Sequence, residues 1–331
     1  MLALCGGVGG AKLALGLYRA LPADRLVVVA NTGDDFEHLG LHVSPDLDTV
    51  LYTLAGLNNP ETGWGRVNET WTFMEALRSL GGESWFMLGD GDLAIHVERT
   101  RRLRAGEALT EVMADFASRL RLRTTLLPMS DDPVRTLIRT EDCVLEFQRY
   151  FVQLRAAPVA RGFVYEGAAR AAPNSALMAM LTAPDLAMVA ICPSNPYLSV
   201  DPILALPGVR DALARCAAPV VAVSPIIGGQ AVKGPTAKIM AELGVPRTQS
   251  AIARHYDGLI DGLVVDEADA AECRDLALPV ELTHTLMKSL DDRMALARRV
   301  LAFGAGLKGS GNKSSTARRQ GAGRSAGRGG A

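Results

Sequence analysis

Short apolar runs with strand character recur along the chain, and each ends in a polar, turn-rich segment. Leu26–Ala30 precedes NTGDD, Trp85–Leu88 precedes GDGD, and Thr124–Leu127 precedes PMSDDP. Leu186–Ile191 leads to CPSNP, Val220–Val223 to SPIIGG and Leu263–Val265 to DEAD. Helical periodicity fills several of the intervals. Trp71, Met74, Leu77 and Leu80 recur near one face behind a candidate cap at Asn68. Leu109, Val112, Met113, Phe116 and Leu120 form a second stripe, and Met287–Phe303 reads as a third amphipathic helix. Strands alternating with helices predict an α/β fold, a mostly parallel sheet with helices on both faces. The stretch from Cys143 to Gly167 breaks this rhythm. Its segments VLEFQRYFVQL and GFVYEG predict antiparallel strands, hence a smaller inserted subdomain around residues 130–180 that covers the site.

In open sheets of this kind ligands collect beyond the carboxyl ends of the strands, and every polar loop above follows its strand. The first strand, Met1–Cys5, runs into Gly6-Gly7-Val8-Gly9-Gly10-Ala11-Lys12 and then an apolar helical stretch. Strand, glycine turn and helix together suit an anion, because backbone N–H groups can approach it closely and the helix N-terminus is positive. A dinucleotide fingerprint counted from Gly7 needs glycine where Lys12 stands, and a Walker A loop needs Gly and Ser/Thr where Ala11 and Leu13 stand. The turn is therefore an anion site of neither class, or a tight turn that packs helix on sheet.

The acidic loops sharpen the picture. Asp34 and Asp35 follow the second strand, Asp46 and Asp48 lie in SPDLDT, Asp90 and Asp92 in LGDGDLA, and Asp131 and Asp132 after another strand. If residues 45–48 were extended, the carboxylates of Asp46 and Asp48 would project the same way. Carboxylates gathered in one cleft repel each other without a cation, and hard oxygen ligands select magnesium or manganese, which bridge to substrate phosphates. Any single pair can equally be a helix cap or turn residue. Ser194, Asn195, Ser224 and Gly228-Gly229 offer hydroxyl, amide and N–H donors at later strand ends, and Lys233 and Lys238 add positive charge. The five histidines, His38, His42, His96, His255 and His284, form no H-E-x-x-H motif, and no G-x-S-x-G elbow exists. The residues alone predict a metal-assisted enzyme acting on a phosphorylated or nucleotide-linked substrate.

Composition narrows the setting. A chain of 331 residues, 48% hydrophobic, can bury a substantial core. Its five scattered cysteines argue against zinc or disulfide scaffolds and for a reducing compartment. No apolar run reaches membrane-spanning length and the first strand begins at Met1, so a cytoplasmic protein without membrane attachment is expected. The net charge of −1 hides an asymmetry: residues 308–331 carry six Lys/Arg and no acid, which leaves 29 basic against 36 acidic residues in the body. The tail is expected to be disordered, and an acidic body argues against nucleic-acid binding.

In this order, GGVGGAK, NTGDD, SPDLDTVLY, GWG, LGDGDLA, LPMSDDPV, PSNP and SPIIGG resemble the 2-phospho-L-lactate transferase family, over roughly residues 1–300. The resemblance implies a Rossmann-like single catalytic domain over residues 1–307 with an added subdomain, and assembly as a homodimer. It also implies the activity: transfer of a phospho-lactate or phospho-enolpyruvate group from a guanosine-diphosphate-linked three-carbon acid to the ribityl hydroxyl of the deazaflavin FO. The products are coenzyme F-420-0 or its dehydro form and GMP, and Mg2+ is required. By motif, Gly6, Gly7, Gly9 and Gly10, with Lys12, would cradle the diphosphate. Asp46 and Asp48 would hold the metal or the acceptor hydroxyl, and Asp34 and Asp35 are further metal candidates. Asn31, Asp90, Ser194, Asn195, Ser224 and Gly228 would complete the substrate contacts. One departure stands out. Gly91 occupies a position that is usually arginine in the family, so that contact must come from elsewhere, with Arg66 and Arg99 as candidates. A kinase or nucleotidyl transferase of another pathway and a non-catalytic nucleotide- or flavin-binding protein are the rival readings.

Overall fold

The computed structural model describes residues 1–22, 24–231 and 234–307; the expectations for Lys233 and for the tail 308–331 lie outside the described residues. Seven strands form one parallel sheet: β1 (Leu2–Cys5), β2 (Val27–Ala30), β3 (Thr125–Pro128), β4 (Val189–Ile191), β5 (Val220–Val223), β6 (Gly262–Asp266) and β7 (Val280–Thr283). Their order is β7-β6-β5-β4-β1-β2-β3. The chain winds outward from β1 to β3 on one side and from β4 to β7 on the other, so the winding reverses between β1 and β4. That reversal opens a crevice above the strand ends. Register is continuous across it, with Leu4 beside Val29 of β2 and Ile191 of β4.

The strands are apolar on both faces, as a doubly covered sheet requires. Leu2, Leu4, Val29 and Leu127 pack on one side with Leu177, Ile203, Leu213 and Ile252. Ala3, Cys5, Val28 and Ala30 face the other side, under the helices α1 (Gly7–Ala20), α2 (Pro45–Ala55), α4 (Leu109–Arg119) and α5 (Leu290–Gly306). Helix α3 (Asp90–Arg104) lies outside α2 and α4, with Ile95 and Leu103 against the same core. A separate antiparallel sheet joins Arg135–Arg139 to Val144–Glu146 and Gly162–Glu166; of the expected strand VLEFQRYFVQL only Val144–Glu146 is extended, and Arg149–Gln153 turns helical to bury Tyr150 with Ile138. Asp201, just after PSNPYLSV, binds His255 Nε2 at 2.9 Å and so ties this turn to the helix Gln249–His255.

Three local expectations are corrected. Trp85–Leu88 is an irregular segment, because its aromatic rings are spent on side-chain stacking rather than strand pairing. Asn68 sits at φ 57° in the turn before the helix Thr72–Ser79, whose N-cap is Trp71; of its expected stripe only Met74 is buried, and Leu80 is 85% exposed. Residues 45–48 are the first turn of α2, not an extended segment, since Pro45 fits the first helical position.

Candidate active site

The glycine turn after β1 is shaped by close packing. Gly7 has φ +64°, a conformation glycine alone adopts without strain. A Cβ on Gly6 would run into Asp46 Oδ2 and lie 2.7 Å from Ser199 Cβ; one on Gly9 would strike the Pro193 carbonyl. One on Gly10 would lie 2.5 Å from Ser194 Oγ and 2.8 Å from Cys5 Cβ. The turn thus fits against the Pro193–Asn195 turn after β4. Ser194 Oγ fastens the two, accepting from Gly6 N at 3.1 Å and donating to Gly6 O at 2.9 Å.

Above this junction opens a cleft of about 640 Å³. Gly6, Gly7, Gly9, Lys12, Ser194, Asn195 and Ser224 line it. Lys12 Nζ donates to Met287 O at 2.9 Å. Asn195 Oδ1 accepts from Tyr197 N and Leu198 N at 3.0 and 3.1 Å, while its buried Nδ2 has no partner among the described residues. Four expected contacts do not line the cleft: Gly10, Asn31, Asp90 and Gly228, with Asn31 fully buried behind the acids it binds. Gly10 is buried under Ser194, and Gly228 N donates to Asp269 at 2.9 and 3.0 Å. Lys238 is held by Glu242 and by Pro158 O at 3.1 Å.

The carboxylates separate into groups. Asn31 Nδ2 reaches Asp46 Oδ2 at 3.0 Å and Asp34 Oδ1 at 3.2 Å, bridging both acids with one neutral amide. Gly7 N donates to Asp46 Oδ1 at 2.5 Å, and Gln148 Nε2 lies 3.5 Å from Asp34 Oδ2. Burial pushes the Asp46 carboxyl up to about 6, against the hydrogen bonds from Asn31 and Gly7. Burial, then the charges of Asp46 and Asp35, hold Asp34 well above the usual carboxylate range. Two buried acids that have no cationic partner among the described residues and face a phosphate-sized space fit a hard divalent ion, which takes a few carboxylates and completes its shell with water and phosphate.

Asp35 faces the other way. Its Oδ2 takes His42 Nε2 at 3.0 Å and Ser44 Oγ at 2.8 Å, beside a smaller cavity of about 220 Å³ that Asp131 and Asp132 also line. Asp48, two residues from Asp46, is turned about 200° away around α2. Both Asp48 oxygens are bound by the guanidinium of fully buried Arg99, and His96 Nδ1 is 3.7 Å from Oδ2. Asp48 lines the cleft as part of an ion pair, not as a free ligand. Asp90 does not line the cleft; it is half-buried and accepts from Thr70 Oγ1, Thr72 N and Phe73 N at 2.6, 3.1 and 3.1 Å, anchoring the start of the helix Thr72–Ser79. Its neighbour Asp92 turns inward: Tyr52 OH donates to Oδ1 at 2.5 Å and His96 Nε2 stands 3.3 Å from Oδ2. Burial opposes its ionisation, but the bonds from His96 and Tyr52 and the nearby Arg99 outweigh it and hold the carboxyl below the usual range.

Aromatic side chains close the cleft: Trp64, Trp85 and Phe86 from one side, Phe147 and Phe151 from the insertion. Phe86 meets Phe36 edge-on at 4.8 Å, and Phe147 stacks on Phe151 at 5.5 Å. These rings, Tyr52 and the Asp92–His96 pair escaped the sequence reading; the i, i+4 spacing of Asp92 and His96 was the available signal. Of the two candidates to replace an arginine at Gly91, Arg99 is committed to Asp48. Arg66 is adjacent: its Cζ lies 3.4 Å from where a Gly91 Cβ would stand, and Nη1 donates to Gly91 O at 3.0 Å.

A Rossmann-like sheet with an anion-suited turn at its switch point, buried acids beside it and an aromatic wall beyond defines an α/β enzyme of phosphate-group transfer. Comparison with known proteins gives the family. The model of the 2-phospho-L-lactate transferase CofD family matches residues 1–291, and the chain belongs to that family. It is 41% identical over 310 residues to the phosphoenolpyruvate transferase of Streptomyces griseus, covering 91% of this chain and 97% of the relative. To the phosphoenolpyruvate transferase of Mycobacterium marinum it is 39% identical over 292 residues, covering 81% and 88%. A crystal structure of a UPF0052-family protein from Bacillus halodurans shares the fold at a TM-score of 0.61 and 17% identity, covering 91% and 98%. The chain is accordingly a transferase of phospho-lactate or phosphoenolpyruvate groups in coenzyme F-420 biosynthesis, as the sequence resemblance implied.

Proposed function

We propose that the chain transfers an enolpyruvyl phosphate group from a guanosine-diphosphate-linked donor to the terminal ribityl hydroxyl of FO, releasing GMP. The enolpyruvyl form is favoured by relatives named phosphoenolpyruvate transferase that align over most of this chain. The observation that carries the reading is the cleft itself, one space lined by the glycine turn, the acids Asp34 and Asp46, and an aromatic wall. The donor diphosphate lies along Gly6, Gly7 and Gly9 with Lys12 beside it, and its guanosine toward Asn195 and Ser224. The flat acceptor ring lies against Trp64, Trp85 and Phe86. The acceptor hydroxyl oxygen bonds to the phosphorus carrying the three-carbon acid, and the bond from that phosphorus to the bridging oxygen of GMP breaks.

Asp34 and Asp46 are the residues that would hold Mg2+. When bound, the ion offsets charge gathering on the phosphate oxygens. Asn31 keeps both carboxylates aimed inward, and the Asp46 oxygen not turned to the metal is placed to take the hydroxyl proton. Exposed Trp71, Phe73 and Leu80 support assembly as a homodimer, and five free cysteines support a reducing, cytoplasmic setting.

The test is one competition assay. Pure protein, Mg2+ and FO are offered guanosine-diphosphate-linked enolpyruvate, lactate and glycerate together, and products are separated by mass. Dehydro-F-420-0 with equimolar GMP is expected. A dominant lactate or glycerate product overturns the donor assignment, and binding without GMP release overturns catalysis.

A further inference from the structure

We propose that Asp92 forms a polyol subsite, receiving hydroxyl groups of the acceptor's side chain, with Tyr52 and His96 as positioning residues. This rests on the acceptor reading above and deepens it. Four aspartates line the cleft: Asp34, Asp46, Asp48 and Asp92. Asp34 and Asp46 share the Asn31 amide beside the glycine turn, and both oxygens of Asp48 are taken by Arg99. Asp92 stands apart from the glycine turn and from the Arg99 ion pair, with fixed geometry and remaining capacity. One oxygen accepts from Tyr52 OH and the other faces His96 Nε2, yet each keeps a lone pair. Its side chain is 16% exposed where that of His96 is 2%, so the carboxylate, not the imidazole, meets what enters.

An ionised carboxylate only accepts hydrogen bonds. Its ligand must therefore bring donors, which excludes a phosphate and fits hydroxyl groups. The surroundings fit the rest of such a molecule. Arg66 stacks over the Tyr52 ring at 5.7 Å and donates to Gly91 O, joining the Trp64–Gly65 segment to the wall that carries Asp92. A flat ring against aromatic side chains, with a hydroxylated chain reaching Asp92, uses both features at once.

The experiment measures fluorescence binding of two probes to the full chain: FO, and the same deazaflavin ring bearing a methyl group in place of the ribityl chain. Wild type is expected to prefer FO. Asp92→Asn should weaken FO by about tenfold or more, the worth of hydrogen bonds to a charged group, and leave the methyl ring within about twofold. Tyr52→Phe should narrow the same ratio by a few-fold, which a general loss of stability would not do, and it stands in if the first variant fails to fold. Unchanged discrimination in the folded variants, or equal weakening of both probes, overturns the inference and leaves the acceptor reading intact. Failure of wild type to bind either ring overturns both.

Discussion

The acids at the two ends of the cleft have the same chemistry and opposite surroundings. At the glycine end, Asp34 and Asp46 are met by an amide and a backbone N–H, neutral donors that do not offset burial, and both carboxyls are raised. At the other end, Asp48 and Asp92 are met by a guanidinium, an imidazole and a phenol, and Asp92 is lowered. One end carries its own counter-charge; the other, among the described residues, is met by neutral donors alone. Asp46 and Asp48 belong to opposite groups although one residue separates them. The difference teaches that the partners each carboxylate meets, not the number of carboxylates, set the charge demand of each end.

The largest break in this comparison is to remove the internal counter-charge. Arg99 is fully buried and Asp48 nearly so. Arg99→Met would leave an uncompensated buried carboxylate and should cost about 3–5 kcal/mol of stability, read by urea unfolding. Adding Asp48→Leu should recover most of that loss. A double variant no more stable than Arg99→Met would mean that Arg99 acts through packing alone.

The external demand is tested at Asp46. Asp46→Asn should lower turnover by about 10²- to 10³-fold, the cost of losing one preorganised transition-state contact, while stability stays within about 1 kcal/mol because one of two neutral hydrogen bonds survives. Thermal stabilisation by added Mg2+ should disappear in this variant and persist in Asp92→Asn. Equal Mg2+ stabilisation of wild type and Asp46→Asn would remove Asp46 from the metal site.

How much of this was legible beforehand depends on the element. Apolar runs ahead of a turn located six of the seven sheet strands, all but Val280–Thr283, because a sheet buried on both faces needs continuous apolar residues. Trp85–Leu88 met the same criterion and failed, since aromatic rings satisfy a loop packing cluster as well as a strand. The glycine turn was readable, but its tightness against Pro193 and Ser194 was not, because partners almost 190 residues away leave no local pattern. The PDLD spacing misled for a definite reason: a period of two was applied where Pro45 starts a helix. Arg99 was named only as a substitute contact, since a buried guanidinium gives no sign in sequence of the acid it will meet.

Acid–base behaviour sharpens the comparison further. Asp46 binds its proton more tightly folded than unfolded, so the folded state holds more protons between about pH 4 and about 6. Metal-free stability should therefore fall as pH rises through that window, by on the order of 3 kcal/mol, and level off above it. Asp34 adds to the fall, being raised too. Asp92, lowered, acts in reverse: its contribution is present above the unfolded value and is lost as pH falls through its folded one. Asp46→Asn should flatten the pH 4–6 slope and Mg2+ should oppose it in wild type. A metal-free wild type that gains stability across that window would contradict the assigned environments.

The smallest effect concerns Gly91, on the self-compensated side. A Cβ there would lie 3.0 Å from Glu69 Oε1 and 3.4 Å from Arg66 Cζ, both at the ends of flexible side chains. Glu69 Oε2 accepts from Gly91 N at 2.6 Å, so the acid has something to lose by moving. Placing the family's arginine here, Gly91→Arg, should raise the acceptor KM by only a few-fold, because Arg66 and the new guanidinium would compete for Glu69 while a good helix former replaces glycine, offsetting about 1 kcal/mol. If Arg66 fills the role of the missing arginine, the double variant Gly91→Arg with Arg66→Ala should return the KM toward wild type, whereas Arg66→Ala alone should raise it. Additive losses in the double variant would instead show that the two positions serve separate contacts, and that the Asp92 end of the cleft works without a guanidinium at this place.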